Sequence, residues 1–191
     1  MKHAIISRCR FANRDLMNKY LAVSEKYLVP QLQVQTNQDF DWFIIGNKTD
    51  ENYLKSKLDY PFEIIQDQDE FTERMKDYNI QTRHDIDDWM SKDYVSMIQT
   101  LYTQVIGSHE RFIIHAQPVQ LNIITNREYE MRQYRSNNTS MFVSLCQKEM
   151  KHTIFSKPHN RLWRIAEKTF KLKGTPVKWI IHGNNITCKK K

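Results

Sequence analysis

Hydrophobic positions in the amino-terminal part of the chain alternate between two spacings. Residues 4–7 (Ala-Ile-Ile-Ser) form a short apolar run typical of a buried strand, and apolar residues over 16–28 then recur at near-helical spacing before Pro30. Residues 41–46 and 61–65 predict a second and a third strand, with a short helical stretch at 52–58 between them. Strands that alternate with helices predict a largely parallel sheet covered on both faces.

The pattern changes after the next predicted helix, which Ser91 is positioned to cap and whose apolar stripe ends at Val105. Beyond Gly107, short strands are predicted at 111–114, 121–125, 141–145 and 177–181. Another helix is predicted where Leu162, Ile165, Ala166 and Phe170 recur. We therefore expect an α/β fold: one Rossmann-like domain with a mostly parallel central sheet and a small antiparallel extension.

Length and composition favour one soluble domain. The chain has 191 residues, of which 40% are hydrophobic and 27% charged, and it contains no internal repeat. We expect a single domain over 1–191, with halves at about 1–106 and 107–191 on one continuous core. Neither a membrane span nor a secretion signal is apparent, so a cytoplasmic location is expected. Three cysteines without a C-x-x-C pair indicate neither a disulfide framework nor a zinc site.

The net charge of +7 is unevenly distributed. Seven lysines and no acid lie between Lys168 and the last residue, which leaves 22 basic and 22 acidic residues in 1–167. This pattern favours a local anion site, or contact with an acidic membrane surface or partner protein, over a nucleic-acid groove, so no nucleic acid is expected as a partner. A solvated tail without a function is the plain alternative.

Phosphate binding by a glycine-rich loop is excluded. The chain has only four glycines, and none are spaced as in a Walker or dinucleotide-binding loop. A phosphorylated ligand would have to be held by a metal ion or by cationic side chains.

The densest chemical signal is the run 82–89, Thr-Arg-His-Asp-Ile-Asp-Asp-Trp, after a probable strand. In an extended segment, alternation would put Asp85 and Asp87 on one side, where two carboxylates can converge on a divalent cation. Such a site leaves coordination positions for water and a diphosphate. Arg83 could supply a planar set of donors to a phosphate. An acidic turn that caps the next helix is the alternative.

Four sequence blocks resemble the rhamnosyltransferase-like family of glycosyltransferases, which have the A-type fold and a D-x-D motif. They are 7–13 after the first strand, 28–42, the T-R-x-D-x-D-D motif at 82–88, and the segment 179–186, which resembles the family's closing W-x-x-x-H-G-x-N-hydrophobic segment. The blocks occur in the same order and span nearly the whole chain.

This resemblance implies a nucleotide-sugar donor and a divalent cation, Mn²⁺ or Mg²⁺. Asp85 would contact the donor ribose or share the metal, Asp87 would bind the metal, and His182 would reach the metal or the diphosphate. Arg83 and Arg10 would line the nucleotide pocket.

The resemblance further implies that Asp88 would cap the helix or orient Asp87, and that the lysine-rich tail would lie over the same crevice. The first half would bind the UDP-, dTDP- or GDP-sugar, and the second half would bind the acceptor.

A catalytic base is harder to assign. No aspartate follows Asp93, so a base from the second half has to be a glutamate or a histidine. The possible bases are Glu128, Glu130, Glu149 and His159, with Glu130 and His159 favoured.

The sequence thus predicts a metal-dependent glycosyltransferase that moves a sugar, rhamnose or another hexose, to a glycan hydroxyl in polysaccharide biosynthesis. Two alternatives stay open: a nucleic-acid-binding module that uses the basic tail, and a metal-dependent phosphohydrolase.

Overall fold

The computed structural model describes residues 1–130, except for the side chain of Glu130, and residues 141–183. Two sheets and five α-helices make up this part of the chain. The helices are α1 (Arg14–Tyr27), α2 (Val29–Gln33), α3 (Glu51–Lys55), α4 (Gln68–Met75) and α5 (Tyr94–Val105). Two short 3-10 helices cover Lys48–Asp50 and His159–Ile165.

The larger sheet has seven strands and is mostly parallel. Its strands are β1 (His3–Arg8), β2 (Asp41–Ile45), β3 (Glu63–Ile65), β4 (Ile80–Arg83), β6 (Arg111–His115), β9 (Val143–Gln147) and β10 (Lys168–Lys171). They lie in the order β10-β6-β9-β4-β1-β2-β3, and β9 alone runs antiparallel to its neighbours. This sheet contains strands from both halves of the sequence.

A smaller sheet forms the antiparallel extension. Its strands are β5 (Trp89–Met90), β7 (Val119–Asn122), β8 (Arg127–Glu130) and β11 (Val177–Ile181), in the order β5-β11-β7-β8. Strand β11 runs parallel to β7 and antiparallel to β5. The predicted α/β architecture, mostly parallel with antiparallel pairs, is confirmed.

Both faces of the larger sheet are covered, which explains why its strands read as continuous apolar runs. Ile5 faces the cluster that contains α1, α2 and α5, whereas Ala4 and Ile6 face the cluster with α4 and Leu162. Helix α1 begins where the Asn13 side chain accepts a hydrogen bond from the Leu16 amide at 2.9 Å.

Two local predictions are wrong. Ser91 does not cap α5, because the helix begins after Asp93, whose side chain makes no capping bond. The helix predicted over 162–170 is a 3-10 helix that ends at Ile165, and Phe170 lies in strand β10. The apolar spacing there satisfies a helical period, but Phe170 instead packs from an edge strand against Phe112.

No helix in the described ranges, 1–130 and 141–183, is both long and apolar enough to cross a membrane.

Candidate active site

The candidate residues collect at the carboxyl edge of the larger sheet. Strands β1, β4 and β6 run in the same direction, so the segments that follow Arg8, Arg83 and His115 emerge at one edge. In open α/β sheets this edge is where ligands bind.

The acidic motif after β4 is a turn and not an extended segment, so the alternation argument is wrong. The Asp88 amide donates to the Asp85 carbonyl at 3.2 Å, which closes the turn. As a result Asp85 and Asp87 have different partners: Asp85 lies 3.5 Å from the Arg83 guanidinium, and Asp87 contacts His182.

Asp87 and His182 form a buried pair. Asp87 Oδ2 lies 3.0 Å from His182 Nε2, and the two residues are 7% and 9% exposed. The Tyr20 ring of α1 meets the imidazole edge-on, with ring centroids 4.8 Å apart. Burial raises the pKa of Asp87, and the hydrogen bond from His182 opposes that rise. The pairing joins the middle of the chain to the segment after β11.

Asp88 explains why His182 arrives at this position. Its Oδ1 accepts a hydrogen bond at 3.0 Å from the backbone amide of Ile180 in β11, and its side chain is almost fully buried. The predicted helix-capping role of Asp88 is therefore wrong. Burial, together with the charges of Asp87 and Asp85, raises the pKa of Asp88 well above its ordinary range.

Arg83 lies between Asp85 and His159. Its Nη1 is 3.3 Å from His159 Nδ1. Because a guanidinium can only donate, Nδ1 must accept, and a neutral His159 then carries its hydrogen on Nε2. Burial and the Arg83 charge both lower the pKa of His159, which favours that neutral form.

Two further arginines lie at or just after the end of β1. Arg10 donates to the carbonyl of Gln66, and Arg8 has its guanidinium carbon 4.2 Å from the centroid of the Phe155 ring. Burial and the neighbouring charges of Arg83 and Arg10 lower the pKa of Arg8, while Asp85 raises it. Three guanidiniums are thus grouped beside one partly exposed carboxylate, which is a favourable place for an anion.

Sequence reasoning did not select Arg8. The available signal was its position at the carboxyl end of the first strand, two residues before Arg10.

The structure places none of the other predicted bases, Glu128, Glu130 and Glu149, in a described contact with the candidate active site. The side chain of Glu130 lies outside the described residues, although its backbone ends strand β8. Glu128 is ion-paired with Lys178, and Glu149 is exposed. Lys189, Lys190 and Lys191 of the basic tail also lie outside the described residues.

The donor set suits a divalent cation in part. Two adjacent ligands of an octahedral ion with bonds of about 2.1 Å lie about 3 Å apart, similar to the hydrogen-bonded Asp87–His182 separation, and a cation bound there would have to replace the hydrogen that joins them. Carboxylate oxygen and imidazole nitrogen are both ligands that Mn²⁺ accepts. Among residues 1–130 and 141–183, no three His, Cys, Asp or Glu side chains are gathered closely enough to form a metal site of their own. Within the described ranges the site thus offers two ligands, and Asp85 is not gathered with them.

A model of one protein family matches residues 3–190, and that family is described as "Putative rhamnosyl transferase". The chain belongs to this rhamnosyl transferase family. The resemblance predicted from the four sequence blocks is confirmed. A comparison with curated proteins found no match to this chain.

Solved structures share the fold of this rhamnosyl transferase family member at low sequence identity. TarS of S. aureus matches 95% of the chain with a TM-score of 0.54 and 10% identity. TarS 1-349 in complex with UDP-GlcNAc matches 95% with the same TM-score and identity. A cytidylyltransferase from Leptospira borgpetersenii matches 92% with a TM-score of 0.53 and 9% identity.

The match covers only part of the larger relatives. The chain spans 37% of the TarS structure and 59% of the TarS 1-349 complex.

The structural matches together show that the fold is the A-type fold, which glycosyltransferases share with nucleotidyltransferases.

Proposed function

We propose that this protein transfers a sugar from a nucleoside diphosphate sugar to a hydroxyl group of a glycan. The observation that carries the proposal is the buried Asp87–His182 pair at the carboxyl edge of the sheet, beside Arg8, Arg10 and Arg83. Membership of the rhamnosyl transferase family favours sugar transfer over nucleotidyl transfer. TarS, which shares the fold, was solved with UDP-GlcNAc.

Asp87 and His182 are the proposed ligands of Mn²⁺ or Mg²⁺. A cation held by two protein groups keeps positions for water and for the oxygens of a diphosphate. When bound, it would supply positive charge to the leaving diphosphate. It would also neutralise the buried Asp87 carboxylate, whose pKa burial raises.

The arginines would hold the phosphates and position the donor. Arg83 lies near both Asp85 and His159, and these two contacts favour one orientation of its planar donors. Asp85, which is partly exposed, remains available to hydrogen-bond a ribose hydroxyl.

We propose His159 as the catalytic base, on the condition that its contact with Arg83 is broken first. His159 presents Nε2–H to a ligand while Nδ1 accepts from Arg83, so in this arrangement it is a donor. To accept the proton of an acceptor hydroxyl, Nδ1 has to release Arg83. Glu130 stays a predicted base.

The test is thermal stabilisation by UDP, with and without Mn²⁺, followed by a transfer assay with UDP-, dTDP- and GDP-sugars. The metal-dependent part of the stabilisation should disappear in Asp87→Asn and in His182→Gln. Asp77→Asn, which removes an exposed carboxylate elsewhere, is the matched control and should behave as the wild type. Equal stabilisation of Asp87→Asn and wild type by UDP with Mn²⁺ would reject the metal assignment.

A further inference from the structure

The segment 151–173 is strongly cationic and adjoins the site. It contains seven Lys and Arg residues against one Glu, and all seven cationic side chains are exposed. Among the residues that the structure describes, none of the seven is ion-paired with a carboxylate. Exposed cations without internal partners leave their charge available to a ligand.

Within this segment, the 3-10 helix His159–Ile165 is held firmly. Leu162 is fully buried in the cluster on the α4 side of the sheet, and Arg111 donates from its Nε to the Ile165 carbonyl. His159, at the start of the helix, touches Arg83 at 3.3 Å. The helix is therefore fixed to the candidate active site at one end and to the core in its middle.

The exposed side chains of the same helix include an aromatic ring that is in contact with a cation. Trp163 is 37% exposed, and its Nε1–H donates to the Asn160 carbonyl at 3.1 Å. The Arg164 guanidinium carbon lies 5.4 Å from the centroid of the Trp163 ring, and Arg161, two residues before Trp163 in the sequence, is also exposed. A large exposed ring held by its own hydrogen bond loses little conformational entropy when a ligand stacks on it.

An acidic glycan fits this combination. The C–H face of a sugar ring is apolar and packs on an indole, while the carboxylate or phosphate groups of the same polymer meet the arginines. The rise of a 3-10 helix, about 2 Å per residue, puts Trp163 within roughly 8 Å of His159 along the chain. A polymer bound at Trp163 would therefore have neighbouring sugar units close to the site.

We propose that the outward side of this helix, formed by Arg161, Trp163 and Arg164, binds the acceptor, and that the acceptor is an acidic glycan. The inference rests on the transferase function proposed above. It names the class of acceptor, which that function leaves open.

The experiment compares fluorescently labelled carboxymethyl-dextran with labelled dextran of the same length, by anisotropy at low ionic strength. The charged polymer should bind at least about tenfold more tightly, and added salt should weaken its binding. Arg161→Gln/Arg164→Gln should weaken binding of the charged polymer by about tenfold, and Trp163→Ala should weaken binding of both polymers.

Lys19→Gln/Lys92→Gln is the matched control, since it removes the same charge from exposed positions elsewhere. An equal loss in this control would overturn the proposal, because net charge alone would then explain binding. Tighter binding to a single-stranded oligonucleotide, or to phosphatidylglycerol vesicles, would also overturn it in favour of a nucleic acid or a membrane.

Stabilisation by UDP with Mn²⁺ is measured on the same variants and separates the two proposals. Arg161→Gln/Arg164→Gln should keep the wild-type response to UDP. If the wild type itself does not respond to UDP, the proposed transferase function is wrong. A difference in polymer binding between Arg161→Gln/Arg164→Gln and Lys19→Gln/Lys92→Gln would still show whether this surface binds acidic glycans.

Discussion

Asp88 accepts a hydrogen bond from the backbone amide of Ile180 at 3.0 Å, across 92 positions of sequence. This bond joins the acidic turn to β11 and leaves His182 two residues further on, beside Asp87. Asp88 therefore affects the candidate active site indirectly, because it holds the backbone of β11 where His182 can reach Asp87.

Replacing Asp88 tests that role. Asp88→Ala leaves the buried Ile180 amide without an acceptor, so we expect the free energy of unfolding to fall by about 1–3 kcal/mol. Asp88→Asn keeps an acceptor oxygen and removes a charge that burial and two neighbouring carboxylates disfavour, so it should lie close to the wild type. Urea unfolding measures both. An Asn variant as unstable as the Ala variant would contradict the acceptor role.

Arg83→Gln should weaken the binding of UDP or inorganic pyrophosphate. A charge-assisted hydrogen bond contributes about 1.5–3 kcal/mol, so a loss of about tenfold or more in affinity is expected. Isothermal titration calorimetry measures the affinity directly. Arg74→Gln is the control, because Arg74 is ion-paired with Glu63 away from the candidate active site. If both variants bind pyrophosphate like the wild type, Arg83 does not contact the phosphates.

His3 predicts a pH dependence of stability that is independent of the site. Its Nε2 lies 2.7 Å from Thr82 Oγ1 in the core, and burial lowers its pKa from 6.5 to about 3. The unfolded chain therefore binds a proton that the folded chain does not. The stability that a neutral His3 contributes is present above about pH 6.5 and is lost as the pH falls towards 3.

Between pH 7 and pH 5 this loss amounts to about 2 kcal/mol. Urea unfolding at both values should show a smaller loss for His3→Gln than for the wild type. An unchanged dependence in His3→Gln would mean that His3 does not titrate in this way.

Leu162 tests the anchoring of the 3-10 helix. Because its side chain is fully buried, Leu162→Ala should lower the free energy of unfolding by about 2–5 kcal/mol. Val34→Ala, at a position that is 54% exposed, should change it by less than about 0.5 kcal/mol. Thermal or urea unfolding compares the two, and similar losses in both would contradict the inward packing of Leu162.

The periodicity of apolar residues correctly predicted the strands and helices that depend on nearby sequence alone. Strand β1 is a continuous apolar run, as expected of a strand buried on both faces. Helix α1 has apolar residues at helical spacing and a capping residue at its start. Strand β10 could not be predicted, because Phe170 continues a helical spacing and only its pairing with β6 makes it extended. The D-x-D turn was predicted only as the alternative to an extended segment, for a related reason: its conformation depends on the contacts of Asp87 with His182 and of Asp88 with β11, both distant in sequence.

The candidate site was predicted in its residues more than in its geometry. The family resemblance identified Asp87 and His182, although no local pattern indicates a pairing across 95 positions. Arg8 was missed because a single exposed arginine after a strand is common, and only its proximity to Arg10 and Arg83 makes it notable.

The placement of β11 has a kinetic consequence. Strand β11 contacts the acidic turn across 92 positions of sequence, and because contacts between distant parts of a sequence form slowly, we expect this contact to form late in folding. During refolding, far-ultraviolet circular dichroism should recover before the ability to bind UDP. Formation of the candidate active site would then be the final event in the folding of this chain.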